Sequence, residues 1–455
     1  MINTETIESS SAAVSRATGN CRRLLTLAFV FAWNWPFAVR AADSWVAPGG
    51  RDATERGNRT RPWATLQYAA DRVRPGDTVH VRGGEYQGFF LTRGGTPDAP
   101  VRFQAEGDRV RITQRNPKTP DGINVEGAGH VVIEGFVINE MPRAGIRATH
   151  SAGSTIRHIR ADHNRSWGIF TSFCDDLLIE ANTASRSVRE HGIYVSNSAD
   201  RPVIRGNLVR GNRNCGIHMN GDLSQGGDGI ISNALIENNV IFDNGQGGGS
   251  AINGDGVQDS IIRNNLLYEN HSSGISLYRI DGSAGSRNNR VINNTILMAG
   301  NARWAINIKN QSTDNLVGNN ILLNNNRSHG SINIAADSLA GFRSDHNIVV
   351  DRFSPDDGDT VLSLKSWRMA AGLDRHSLTA RPQDLFVNSI AGNYHLRADS
   401  PAIDAADPAV SPQQDLEGHP RPAGAGPDIG AFEGTIGPGA GRPPLQDPAT
   451  ASRVR

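Results

Sequence analysis

Between His191 and Lys309 the chain repeats one short phrase five times. The copies are H-G-I-Y-V-S at 191–196, C-G-I-H-M-N at 215–220, S-A-I-N-G-D at 250–255, S-G-I-S-L-Y at 273–278 and W-A-I-N-I-K at 304–309. Apolar and polar residues alternate within each copy, as in a strand with one buried face. The pattern turns Ile193, Ile217, Ile252, Ile275 and Ile306 inward. It turns two polar sets outward: Tyr194, His218, Asn253, Ser276 and Asn307, then Ser196, Asn220, Asp255, Tyr278 and Lys309. If successive copies stack, each set becomes a row stepped by about 4.8 Å. Carboxylate, amide, imidazole, phenol and amine aligned along a rod suit an extended polar polymer, and polysaccharide is the expected substrate class.

Two chemistries fit these residues. In the first, Asp222, Asp228 and Asp255 hold Ca²⁺, with Asn220 or Asn253 as carbonyl donors, because calcium takes hard oxygen ligands. The ion draws charge from a uronate carboxylate and stabilises the carbanion formed when the neighbouring proton leaves. Lys309 is the base; Tyr278, Arg279 or His218 assists as base, acid or carboxylate ligand. Tyr194, Asn220, Asn253, Asn307 and Asp281 contact the sugar, and Trp167 and Phe170 offer rings for stacking. In the second chemistry, two of Asp222, Asp228, Asp255 and Asp281 act as acid and base in glycoside hydrolysis. Blander roles compete: Asp in Gly-rich turns is common turn chemistry, and a strand lysine can be simply solvated. A surface adhesin or polysaccharide-binding rod without catalysis is the third class.

The elements that must position these residues follow from the period. The Gly of the phrase recurs at 122, 145, 168, 192 and 216, in steps of 23 or 24. A second strand follows each marker, and later copies lead into Asn182, Asn207, Asn239, Asn265, Asn294 and Asn320. Stacking of the coils places these amides above one another, where they bond along a stack. Three short strands per 22–26 residues point to an all-β, single-stranded right-handed parallel β-helix, and neither a leucine-rich nor a calcium-roll repeat is present. Two coils are enlarged, by insertions at 221–232 and around 281–289. Insertions bulge from one edge of a solenoid and make cleft walls. Residues 42–99 form the N-terminal cap and first strands, with helical spacing over 62–73. The coils occupy 100–350, and 351–434 is a C-terminal capping segment with a short helix over 362–373.

The segment P-W-A-T-L-Q-Y-A-A at 62–70, followed by P-G-D-T-V at 75–79, resembles the opening of many secreted right-handed parallel β-helix proteins. Residues 393–433 resemble their closing segment. In architecture and in pairing an Asp cluster with a Lys, the chain also resembles the β-helix pectate lyases. That resemblance implies calcium-assisted β-elimination on a uronate polymer. The polygalacturonase pattern is not met: Arg279-Ile280-Asp281 carries Asp where that family has Lys.

Residues 1–41 read as a cleaved secretory signal, with Arg22 and Arg23 before an apolar run and Val39-Arg40-Ala41 at its end. A secreted, periplasmic or cell-surface location follows, with no membrane insertion after cleavage. The remaining chain carries 42 basic and 44 acidic residues, which gives no electrostatic case for nucleic acid. Lys occurs only at 118, 309 and 365. Cys174 and Cys215 are too few for a disulfide framework and read as buried free thiols. The protein is expected to be a monomer, and 435–455 a flexible tail.

Overall fold

The computed structural model describes residues 41–434; the signal and tail expected at the two ends lie outside them, apart from Ala41. The chain winds as a parallel β-helix of three sheets, with 11, 12 and 12 strands. One coil shows the plan: Ile193–Ser196 lies in the first sheet, Val203–Arg205 in the second and Leu208–Arg210 in the third. All ladders between coils are parallel, in the order of the chain. The sheets run past 100–350 at both ends, from Asp43–Val46 to Leu378–Thr379.

The register is the one the repeated phrase requires. Ile193, Ile217, Ile252, Ile275 and Ile306 pair in turn and are completely buried. The marker glycines follow from close stacking. A Cβ at Gly168 would stand 2.7 Å from the Gly192 carbonyl oxygen of the next coil.

The Asn row stacks as expected. Nδ2 of each Asn donates to Oδ1 of the next at 2.9–3.1 Å, from Asn182 through Asn207, Asn239, Asn265, Asn294 and Asn320 to Asn347. Each preceding residue, for instance Asn238 at φ 56 and Asn264 at φ 52, is left-handed. Asn tolerates that conformation better than most side chains. The corner after the third sheet carries a second, unanticipated ladder, Asn212–Asn244–Asn270.

Both helices are shorter than their patterns. The N-terminal one spans Leu66–Ala70, capped by Thr65. Trp63 stays outside it, bridged to Val46 and bonded through its indole to the Ala53 carbonyl. The C-terminal helix, Leu364–Ala371, packs Trp367 on Phe353 and covers the end of the core. Residues beyond it do not continue over that end. Tyr394, Ala402, Ile429 and Phe432 form a second apolar cluster with Leu208, Val240, Leu266, Leu297 and Ile321 on the third sheet's outer side. No helix among the described residues is long and apolar enough to cross a membrane.

Candidate functional site

The outward rows of the first sheet form as the phrase predicts. Tyr194, His218, Asn253, Ser276 and Asn307 are successive register partners, as are Ser196, Asn220, Asp255 and Tyr278. Lys309 follows Ile306–Ile308 directly, with its N–H bonded to the Leu277 carbonyl.

An open cleft of 440 Å³ runs over these rows. His191, Cys215, His218, Ser250, Asn253 and Ser276 make its floor. Gly247–Gly249 forms one wall; Tyr278 and Ile280 stand on the other side. Arg303, Asn307 and Lys309 close its C-terminal end. Among the described residues no Asp or Glu lines this cleft, whereas Arg303 and Lys309 do. The acid nearest the lysine is Asp357, 3.7 Å from Nζ.

The hydrogen bonds assign proton positions. Asn253 Nδ2 donates to the Tyr278 hydroxyl oxygen at 2.6 Å, which leaves the phenol's own proton free for another acceptor. Burial raises the Tyr278 pKa, so the phenol stays protonated near neutral pH. His191 Nδ1 accepts from the Cys215 N–H at 3.1 Å, which puts the proton of the neutral ring on Nε2. Burial pulls His191 down to about 4 and His218 well below its ordinary value, so both rings are neutral. Cys174 and Cys215 are buried free thiols, as expected, and burial pushes Cys215 up to about 12.

The remaining candidate residues serve the walls. Asp255 is buried and accepts from the N–H groups of Ile280, Asp281 and Gly282 at 2.8, 2.9 and 3.1 Å. Burial raises its pKa, and those three donors oppose the shift. Asp222 accepts from Ser224, capping the short turn Leu223–Gln225. Asp228 accepts from Ile230 N–H. Asp281 accepts from Asn220 Nδ2, which also donates to the Tyr194 hydroxyl, both at 3.2 Å. The two insertions interlock: Leu223 N–H bonds to the Asp281 carbonyl and Ser283 N–H to the Gly229 carbonyl. Arg279 does not line the cleft and offers its carbonyl to Asn310.

Calcium on Asp222, Asp228 and Asp255 does not fit this arrangement. The three do not form one of the close groups of potential ligands among the described residues, and Asp255 directs both oxygens at backbone N–H groups. His191, Cys215 and His218 do bring ligand atoms within 4.8 Å of one another. Cys215 Sγ and His218 Nδ1 are 3.7 Å apart, near the roughly 3.6 Å edge that tetrahedral zinc bond lengths imply. However, the lone pair of neutral His191 is already occupied by a backbone N–H, so the trio reads as a hydrogen-bonded floor. The second close group, Asp345, His346 and His376, belongs to the C-terminal region, with Asp345 bonded to His376 at 2.7 Å.

Sequence reasoning missed Arg303, the His191–Cys215 floor and the 247–249 wall. Arg303 stands just before the marker Trp304, where the other copies carry Glu190, Asn214, Gly249 and Ser272, so no shared residue type flags the position. The Gly-rich run 245–249 was the available signal for the wall.

A family described as "Right handed beta helix region" matches residues 114–256. An uncharacterized protein, YwoF, of Bacillus subtilis (strain 168) is 26% identical over 204 residues, which cover 39% of this chain and 43% of that relative. The match thus spans less than half of the relative's length. Among solved structures, pectate lyase Pel9A superposes with a TM-score of 0.56 at 17% identity, covering 88% of this chain and 98% of that one. XylC in complex with xylose gives 0.54 at 10% identity, covering 87% and 99%. These similarities establish the fold, a right-handed parallel β-helix.

Proposed function

We propose that this is a secreted carbohydrate-active protein that cleaves a uronate-containing polysaccharide by β-elimination in the first-sheet cleft. The observation that carries the reading is the cleft's charge: Arg303 and Lys309 line it and, among the described residues, no carboxylate does. A uronate brings the carboxylate that such a cleft lacks. Two-carboxylate glycoside hydrolysis needs a facing pair of acids, and the lining supplies none. The likeness to a pectate lyase at the level of fold agrees with the reading.

In this reading Arg303 and the Asn307 amide bind the uronate carboxylate, which raises the acidity of the adjacent C–H. Lys309 takes that proton in its neutral form, in which the charge that holds the uronate is Arg303's. The C–H electron pair forms the new C=C bond, and the bond to the glycosidic oxygen breaks. Tyr278 gives its free proton to the departing oxygen, and solvent then restores both groups. No step passes through a metal.

A panel of uronate polymers tests this. Elimination yields an unsaturated, ultraviolet-absorbing end at each cut; hydrolysis yields reducing ends without it. Lys309→Ala is expected to lower kcat about 10²–10⁴-fold at unchanged thermal stability, and Tyr278→Phe to lower it as much while losing about 1–3 kcal/mol of stability, because the Asn253 amide is left without its acceptor. Reducing ends without unsaturation would refute the mechanism.

A further inference from the structure

Next to the cleft, toward the N-terminus, the same row turns aromatic. Phe170 is the register partner of Tyr194, and Tyr194 of His218. Trp167 joins them: its ring centre lies 4.7 Å from Phe170 and 6.0 Å from Tyr194. All three are only partly buried, while the residues between them, Ile169 and Ile193, fill the core. The rings are therefore outside the solenoid and not needed to pack its interior.

Each ring is also held in orientation. The Trp167 indole donates to Glu190 at 2.9 Å. The Tyr194 hydroxyl accepts from Asn220 at 3.2 Å. Phe170 meets Tyr194 edge to face at 5.3 Å, with the Arg147 guanidinium 5.6 Å from its ring centre. Rings fixed this way lose little freedom when a ligand settles on them.

We propose that Trp167, Phe170 and Tyr194 form a sugar-stacking subsite, continuous with the cleft, that binds a pyranose ring of the same polymer away from the bond being cut. This rests on the proposed reading of the cleft as a polysaccharide site. The occupant follows from continuity. A chain lying along the row passes from Arg303 and Lys309 over Asn253 and His218 directly onto these rings. A pyranose presents hydroxyls around its rim and C–H groups on its faces, so amides suit the rim and an aromatic shelf suits a face. The polymer therefore lies parallel to the solenoid axis, with its reacting uronate toward the C-terminal end of the row.

The test compares Trp167→Leu/Phe170→Leu with the wild type on oligosaccharides of increasing length, and by mobility in gels containing each polymer of the panel. On long substrates KM is expected to rise about tenfold, the weight of one or two stacking contacts. On the shortest cleavable substrate KM stays unchanged, and kcat stays unchanged on both. Gel retardation weakens in the double variant and returns in Trp167→Tyr/Phe170→Tyr. Thermal unfolding confirms that both variants are folded. Equal KM loss on short and long substrates, or retardation identical to wild type, overturns the subsite. The two readings fail separately. Retardation that depends on the rings without any unsaturated product sinks elimination and keeps the subsite. Elimination with ring-independent retardation does the reverse.

Discussion

Asp255 accepts three backbone N–H bonds from residues 280–282 and thereby fixes the loop that carries Ile280 to the cleft rim. Removing an acceptor strands buried donors at a cost of about 1–3 kcal/mol each, lessened where water enters. Asp255→Ala is therefore expected to lower unfolding free energy by about 2–4 kcal/mol in denaturant titration. His191 gives a pH signature. Its folded pKa near 4 lies below the unfolded value near 6.5, so the unfolded chain binds more protons between those limits. That contribution is complete above pH 6.5 and is lost as pH falls toward 4. His191→Asn should reduce the slope of stability against pH in this window. Asp428 acts oppositely: burial raises it to about 6, so its contribution falls as pH rises from about 4 to 6. Asp428→Asn should make the remaining rise of stability with pH steeper.

Single residues also show where sequence reading stopped. The outward direction of Asp255 and Lys309 was legible because strand alternation fixes it. Their neighbours were not. Whether a carboxylate faces solvent, a metal or three N–H groups depends on the path of the insertion above it. No periodicity encodes that path. Arg303 was missed for the same reason: it lies just before the repeated strand.

At the scale of the element, the Asn ladder is the main device that holds coils in register. Asn265 donates to Asn294, Ile236 and Arg263, and accepts two bonds from Asn239. Asn265→Ala leaves buried groups on three coils without partners and is expected to cost at least about 3 kcal/mol. The outer face of the second sheet carries another register device. Glu134, Arg157, Glu180, Arg205, Glu237 and Arg263 are consecutive partners of alternating sign. Arg157–Glu134, Arg205–Glu180 and Arg263–Glu237 meet at 2.6–2.8 Å. These pairs are partly exposed, so each contributes little. Arg205→Glu, which sets like charges on three successive coils, should cost about 1 kcal/mol and Arg205→Gln less. The first Asn ladder was legible because all six copies stand three residues after a buried aliphatic residue of the second sheet: Ile179, Ile204, Ile236, Ile262, Val291 and Val317. The second was hidden because the coil before Asn212 carries Ser187 at that place.

At the scale of the molecule, the helix Leu66–Ala70 packs on the core at the N-terminal end, and the chain after residue 350 covers the C-terminal end and one flank. Trp367 covers the end, whereas residues 386–434 shield the apolar outer side of the third sheet. A chain ending at residue 381 would expose Leu266, Leu297 and Ile321 to water, and is expected to aggregate while retaining its parallel strands. The fold was readable because a solenoid is encoded by a period, and a period survives in sequence. The flank was not, because its contacts join residues more than 100 apart, as in Ala431 N–H to Thr295 Oγ1.

The central claim is that a cationic cleft on the first sheet eliminates across a uronate linkage using Lys309. The direct measurement is ultraviolet absorbance of the unsaturated product from a uronate polymer, for wild type and Lys309→Ala, each with and without chelator. Product is expected from the wild type in both conditions, with a loss of at least about 10²-fold in the variant at equal thermal stability. Undiminished product from Lys309→Ala, or a wild type silenced by chelator, would contradict it.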